Sequence, residues 1–317
     1  MSILACIGHT RLVPLRHLVP EGSARVLLKL EYENPTGSMK DRMALAMVEA
    51  AEADGRLKPA SSGEGGAVVE YTGGSTGVSL AFVCAAKRIP LEIVTSEAFS
   101  EEKRTHMAAL GARLTLVPSP TGGTTRALTL AMIETARRIA ATLPGSYWTD
   151  QLNNADVLPG YGRMADEIWQ QAEQRVDGFV QAVGTAGSFR GIATRLRDLN
   201  PALRAVAVEP TESAVLSGGA SGSHKIEGTG PGFVPSLWRG DLADAIRPVA
   251  SVDAMAMTRR LAREEGIFAG TSTGANVIAA LELARQLGPD KTVVTLAVDS
   301  GMKYLSTALY AGGTQAA

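Results

Sequence analysis

The 317-residue sequence predicts an α/β protein built on mainly parallel sheets, and three observations carry that expectation. β-Branched runs of strand length alternate with longer alanine- and leucine-rich segments of helical period, the pattern of parallel strands joined by crossover helices. Three times an expected strand runs into a loop of Gly, Ser and Thr and then into a helix. The chain is also too long for one minimal core and short for three, so one large or two closely packed domains are expected.

Strands are expected at 25–30, 67–71, 91–95, 113–117, 178–183, 204–209 and 292–298, where Val, Ile and Leu concentrate. Helices are expected at 39–54, 77–88, 100–110, 124–141, 188–199, 253–265 and 274–287. Polar, turn-rich stretches at 118–125 and 217–232 read as loops. The segment TDQLNNADVLPGYG, 149–162, reads as a crossing between two halves, with a domain boundary near 150. No repeat of fixed period occurs.

Composition narrows the function. Hydrophobic residues make up 45% of the chain and charged residues 20%, which gives no support to a disordered or fibrous protein. Lys plus Arg number 31 against 32 Asp plus Glu, a formal charge of −1 that argues against nucleic acid as a partner. Cys6 and Cys84 form no disulfide framework; both are expected to be buried, inert thiols in a reducing compartment. His9, His17, His106 and His224 lack metal-site spacing, so no metal is expected. The first fifteen residues do not read as a signal peptide, and no apolar run is long enough to span a bilayer. A cytoplasmic protein without membrane association is the expectation.

The three loops stand in VVEYTGGSTGVSLAF, FVQAVGTAGSFRG and GIFAGTSTGANVIAA. Glycine allows the backbone to turn and approach a ligand, hydroxyls donate hydrogen bonds, and a helix N-terminus presents unpaired N–H groups to an anion. In open parallel sheets such loops gather at the carboxyl ends of the strands. None reads GxGxxG after a first strand, and no GxxxxGK[ST] occurs, so the anion is expected to be smaller than a nucleotide.

Lys40 follows NPTGSM and precedes an alanine-rich helical segment. The positive end of a helix dipole disfavours an ammonium there and favours the neutral amine that a carbonyl-bearing cofactor needs to form an imine. Pyridoxal phosphate offers both an aldehyde for the lysine and a phosphate for a glycine loop. Glycine loops serve many anions, and solvated lysines are common, so the residues alone leave this reading open.

Eight stretches, in order along the chain, narrow it: IGHTRLVPL, NPTGSMKDR, EYTGGSTGVSLA, GTAGS, AVEPTESAVLSGG, HKIEGTGPGFVP, EEGIFAGTSTGAN and DSGMKYLST. Together they resemble the fold-type II pyridoxal-phosphate enzymes of the cysteine synthase (O-acetylserine sulfhydrylase) and cystathionine β-synthase family. The resemblance implies two three-layer domains of mainly parallel sheet flanked by helices, like the tryptophan synthase β-subunit. The smaller would span 36–149; the larger would comprise 1–35 and 150–317, with the cofactor between them.

By this resemblance Lys40 forms the imine with pyridoxal 5'-phosphate and later removes the substrate α-proton. Gly184, Thr185, Ala186, Gly187 and Ser188 would cradle the phosphate. Ala186 replaces a usual glycine, which is tolerable only if that residue avoids a left-handed conformation. Ser272 would face the pyridine nitrogen, where a neutral hydroxyl cannot hold a proton as a carboxylate would, favouring elimination over transamination. Thr72, Gly73, Gly74, Ser75 and Thr76, with Gln151, would bind the substrate carboxylate. Ser75 stands where asparagine is usual, contacting the cofactor ring as well as substrate, and Tyr71 stands where proline is common.

Asn34 reads as a turn former before Pro35 in preference to a cofactor ligand. Asp41 and Arg42 read as helix-end and packing charges, and His224 as an exposed loop residue. Asp299 and Ser300 would border the cofactor ring. The reaction implied is β-replacement, with cysteine made from O-acetylserine and sulfide as the leading form, in a homodimer without a regulatory extension. Other forms of the same class use homocysteine or an amine as nucleophile, as in cystathionine β-synthase or diaminopropionate synthase, or serine or O-phosphoserine as donor. Arg163 or Arg190 could favour a phosphorylated donor. A serine/threonine dehydratase and a silent pyridoxal-phosphate-binding partner protein complete the alternatives.

Overall fold

A computed structural model describes residues 2–58, 65–120 and 125–311. In chain order the elements are β1 (Leu12–Pro14), β2 (Arg25–Leu30), α1 (Lys40–Ala53), β3 (Val68–Tyr71), α2 (Ser75–Lys87), β4 (Leu91–Thr95), α3 (Glu101–Ala109), β5 (Arg113–Leu116) and α4 (Arg126–Thr142). There follow β6 (Tyr147–Trp148), α5 (Val157–Gln171), β7 (Gly178–Ala182), α6 (Gly187–Leu199), β8 (Arg204–Pro210), β9 (Ala245–Val249), α7 (Ser251–Glu264), α8 (Thr271–Leu287) and β10 (Thr292–Ala297). They fall into two compact units, one of Met1–Ile7 with Lys40–Gly160, the other of Gly8–Met39 with Tyr161–Ala317.

The first unit holds a four-stranded sheet in the order β5-β4-β3-β6, parallel throughout. β3 is buried at all four positions, as a central parallel strand covered on both faces must be. On one side Leu128, Met132 and Ala136 of α4 pack against Val69, Tyr71 and Val94.

The second unit holds a six-stranded sheet in the order β1-β2-β10-β7-β8-β9. Only β1 runs antiparallel to its neighbour. α8 is the central helix of this unit: twelve of its seventeen residues are buried, and its alanines pack with β2, β7 and β10 in one continuous core. The Asn276 amide ties it to two strands, accepting from the Ala182 N–H at 2.6 Å and donating to the Leu296 carbonyl at 3.0 Å. A buried amide so bonded sets the rotation of α8 on the sheet, because any turn would orphan both backbone groups.

Every expected strand and helix is present within a few residues, although residues 121–124, which the expected loop 118–125 and helix 124–141 include, lie outside those described. Three strands and a helix were not expected: β1, β6, β9 and α5. The stretch read as a crossing, 149–162, turns into helix at Val157. Pro159 is tolerated because it sits in the first helical turn, where its missing N–H would have no partner anyway. Gly160 is required there, since a Cβ would meet the Arg42 carbonyl oxygen of α1 at 2.8 Å. One thiol also departs from expectation: Cys84 is buried, but Cys6 is exposed, on a short 3₁₀ turn at Ile3–Cys6 that buries none of its residues.

Candidate active site

The loop after β3 lies in the first unit. Its carbonyl-end position follows from the strand: the Thr72 N–H still pairs with the Val94 carbonyl at 2.9 Å, and the chain then leaves the sheet. Gly73 passes so close to Phe99 that a Cβ would lie 2.1 Å from the ring. Gly74 is the N-cap of α2 and offers no side-chain cap. The N–H groups of Ser75 and Thr76 therefore have no partner within the helix and lie at its positive end. The Thr76 hydroxyl donates to Gln151 Oε1 at 2.7 Å, and Gln151 Nε2 donates to the Tyr71 carbonyl at 3.3 Å. The structure thus brings Thr72, Gly73, Gly74, Ser75, Thr76 and Gln151 together at one strand end. Burial pushes the phenol of Tyr71, beside them, above its ordinary range.

Lys40 belongs to the same unit and is the first residue of α1. Asp41 and Arg42, the next two, are both buried, as packing charges inside the unit. Met39, just before it, is held in the second unit by its N–H on the Val298 carbonyl at 3.0 Å.

The phosphate-type loop lies in the second unit, between β7 and α6. Gly184 cannot carry a side chain, because a Cβ would stand 2.3 Å from the Gly228 carbonyl oxygen. Ala186, the N-cap of α6, has φ 68° and ψ −11°. This corrects the expectation that the alanine would avoid the left-handed region: it adopts it and bears the strain that glycine would not, about 1–2 kcal/mol. α6 also lacks a side-chain cap, so the N–H groups of its first turn open on this loop. Ser188 Oγ accepts from Gln181 Nε2 at 2.5 Å, which leaves the serine hydrogen available to donate elsewhere. Gln181 Oε1 is buried without a partner.

The third loop, before α8, is not led by a strand as expected. Residues 266–270 form coil, with a single bridge between Ala269 and Ser300. Gly270 is again an N-cap without a side-chain cap. It is boxed in, since a Cβ would lie 2.3 Å from Asp299 Oδ1 and 2.6 Å from the Tyr304 ring. Ser272 is buried in the first turn of α8, flanked by Thr271, whose Oγ1 accepts from the Glu227 N–H at 3.1 Å, and Thr273, whose Oγ1 accepts from the Val298 N–H at 3.2 Å. Asp299 Oδ2 accepts from the Tyr304 hydroxyl at 2.8 Å, and Ser300 N–H donates to the Gly37 carbonyl at 3.0 Å.

At three other helices a side chain accepts from the first turn. Ser100 caps α3 and Thr125 caps α4 through their own hydroxyls, and the Glu212 carboxylate accepts from the first N–H of α7 at 2.8 Å. α2, α6 and α8, each begun by one of the Gly/Ser/Thr loops, instead start without a side-chain cap, as a helix that receives a ligand anion does.

Several residues serve the loops they sit in. Asn34 has its whole amide engaged, donating to the Glu31 carbonyl and carboxylate at 2.8 and 2.9 Å and accepting from the Gly8 N–H at 2.8 Å, as a turn former does. His224 is half-buried, with Nδ1 accepting from the Ile226 N–H at 3.3 Å and Nε2 against the Gly230 carbonyl at 3.0 Å. Both ring nitrogens therefore staple the 224–230 turn. Arg163 is exposed on α5 and Arg190 half-buried on α6. Among the buried polar residues that escaped the sequence reading are Glu70 in β3 and Gln181 in β7. Their signal was present: each is a polar side chain inside an otherwise apolar strand.

The cradle fits a phosphate. A close-approach glycine, an uncapped helix start and two hydroxyl residues form a donor-rich loop without an opposing carboxylate among the loop residues themselves. Among the described residues no group of three or more His, Cys, Asp and Glu could hold a metal ion.

Comparison with known proteins accords with this geometry. A family model described as "Pyridoxal-phosphate dependent enzyme" matches residues 3–299. The cysteine synthase of Staphylococcus aureus is 41% identical over 312 residues, covering 98% of this chain and 96% of the relative. A crystal structure of cysteine synthase from Entamoeba histolytica superposes with TM-score 0.90 at 36% identity, covering 98% of this chain and 90% of that one. An O-ureido-L-serine synthase structure gives TM-score 0.89 at 36% identity, covering 100% and 96%. The chain is a member of the pyridoxal-phosphate dependent enzymes, in the fold-type II branch that includes the cysteine synthases.

Proposed function

We propose that this enzyme is a cysteine synthase, which replaces the β-substituent of an activated serine such as O-acetylserine with sulfide and releases L-cysteine and acetate. The observation that supports it is the near end-to-end likeness to cysteine synthases, in a chain whose three uncapped helix starts supply separate anion and hydroxyl sites.

Pyridoxal phosphate, when bound, supplies the electron sink that stabilises negative charge at the donor's α-carbon. Lys40 would hold the cofactor through its amine and then take the α-proton at Nζ. The loop Gly184, Thr185, Ala186, Gly187 and Ser188 would bind the phosphate through backbone N–H groups and hydroxyls. Ser272 would present a neutral hydroxyl to the ring nitrogen. Ser75 and Thr76 would offer N–H groups to the donor's α-carboxylate, with Thr72, Gly73 and Gly74 shaping the turn and Gln151 holding Thr76 in place. Ser75 would also contact the cofactor. A homodimer acting in the cytoplasm completes the proposal; among the described residues no helix is long and apolar enough to cross a membrane.

The test is product analysis. Purified enzyme loaded with cofactor is given O-acetylserine and sulfide, and cysteine is quantified; homocysteine and ammonia replace sulfide in parallel arms. Cysteine should dominate. No product from any activated serine with any of these nucleophiles would overturn the proposal.

A further inference from the structure

Glu70 is fully buried in the centre of the small sheet, yet no function described above uses it. Its carboxylate accepts three hydrogen bonds. Oε1 takes the Tyr71 N–H at 2.8 Å; Oε2 takes the Thr149 hydroxyl at 2.7 Å and the Gln151 N–H at 3.0 Å. The last two partners flank Asp150, which has φ 41°, a left-handed backbone that a non-glycine residue adopts only when its surroundings hold it. Asp150 is braced from its other side by the Asn153 amide, which donates to both of its carboxylate oxygens at 2.9 Å. One buried carboxylate thus grips the chain before and after a strained residue, at the point where it delivers Gln151 to Thr76.

We propose that Glu70 is a positioning residue for the amino-acid donor: by clamping Thr149 and Gln151 across left-handed Asp150, it sets the Gln151 amide against the Thr76 hydroxyl and so shapes the carboxylate loop. The inference rests on reading that loop as the donor's carboxylate site. A carboxylate suits the clamp because all three partners are donors, and an ionised group accepts without offering a hydrogen of its own. An amide in its place would turn an N–H toward at least one of those donors and leave that contact broken. Burial raises the Glu70 pKa to about 7, with the three donors acting in the opposite sense and nearby Asp150 adding to the rise. Above that pH the group is the ionised acceptor the clamp needs, held in a dry site by its hydrogen bonds.

The test compares steady-state constants of cofactor-loaded wild type, Glu70→Gln, Glu70→Asp, Thr76→Ala and Gln151→Ala. Glu70→Gln should raise the KM for the donor about tenfold or more, the effect of losing one well-formed charged hydrogen bond, while leaving the KM for the nucleophile and the cofactor's visible absorbance unchanged. Glu70→Asp, which keeps the charge, should recover part of the loss. A merely structural role would lower the melting temperature without separating the two KM values, and that result overturns the inference. If Thr76→Ala and Gln151→Ala raise the donor KM while folded Glu70→Gln does not, the inference fails and the carboxylate-site reading stands. If neither of those two variants moves it, both fall. Should Glu70→Gln not fold, Thr149→Val removes one donor without introducing a charge, and an unchanged donor KM in that variant is equally decisive against the clamp.

Discussion

The Thr76 hydroxyl donates to Gln151 Oε1 at 2.7 Å, so the first turn of α2 and the segment after β6 share one hydrogen bond at the edge of the proposed carboxylate site. Gln151→Glu is the sharpest probe of that place. A second carboxylate beside the bound one is a like-charge pair, which costs several kcal/mol. The donor KM should rise about 100-fold, with the nucleophile KM unaffected; initial rates across donor concentration measure both.

Lys40 opens α1, and its replacement should be chemically severe but structurally mild, because it is only partly buried and sits at a helix start. Lys40→Ala should reduce turnover about 10²–10⁴-fold, the usual contribution of a positioned acid–base group. Circular dichroism should match wild type while the cofactor's visible absorbance shifts.

Ala186 holds φ 68°, where glycine is at ease. Ala186→Gly removes roughly 1–2 kcal/mol of left-handed strain and adds about 0.5–1 kcal/mol of unfolded-state entropy. Net stabilisation of about 0–1.5 kcal/mol should follow, read by urea denaturation of the apoprotein. A loss of stability in Ala186→Gly would show that the methyl group packs to more advantage than its backbone costs.

Glu70 gives stability a pH dependence with a defined sign. Its folded pKa, about 7, lies above its ordinary 4.5, so the folded state holds the proton more tightly than the unfolded one. Its contribution is fully present below pH 4.5 and declines as pH rises toward 7. Measured against Glu70→Gln, wild-type stability should fall by about 3 kcal/mol at most over that window. Denaturation at pH 4.5, 6 and 8 tests it.

The two thiols should differ in reactivity. Cys6 is exposed, whereas burial pushes the Cys84 thiol up to about 12. A thiol-specific reagent should modify one cysteine in the native protein and two in denaturant.

The fold was legible wherever periodicity spoke. β2 and β4 match their expected bounds, because each is a short run dominated by Val, Leu and Ile in which single polar residues such as Lys29 and Glu92 do not break the strand pattern. Two of the missed elements, β9 and α5, contain Pro248 and Pro159, which obscure a strand or helix pattern although an edge strand and a first helical turn both accept proline. β6 is two residues long, too short for any pattern. At the site, the loops were visible as composition, but the conformation of Ala186 was not, since only the chain around it imposes a left-handed turn on an alanine. Glu70 went unread because its partners, Thr149 and Gln151, lie some eighty positions away and meet it only through sheet pairing.

The outer strands of the six-stranded sheet each carry a proline, Pro14 in β1 and Pro248 in β9. Proline withholds the backbone donor that an incoming chain would need to extend the ladder. A mainly parallel sheet, slow to assemble because its pairings are non-local, thereby resists templating other copies at high concentration, so replacing either proline by threonine should speed fibril-type self-association during refolding while leaving turnover intact.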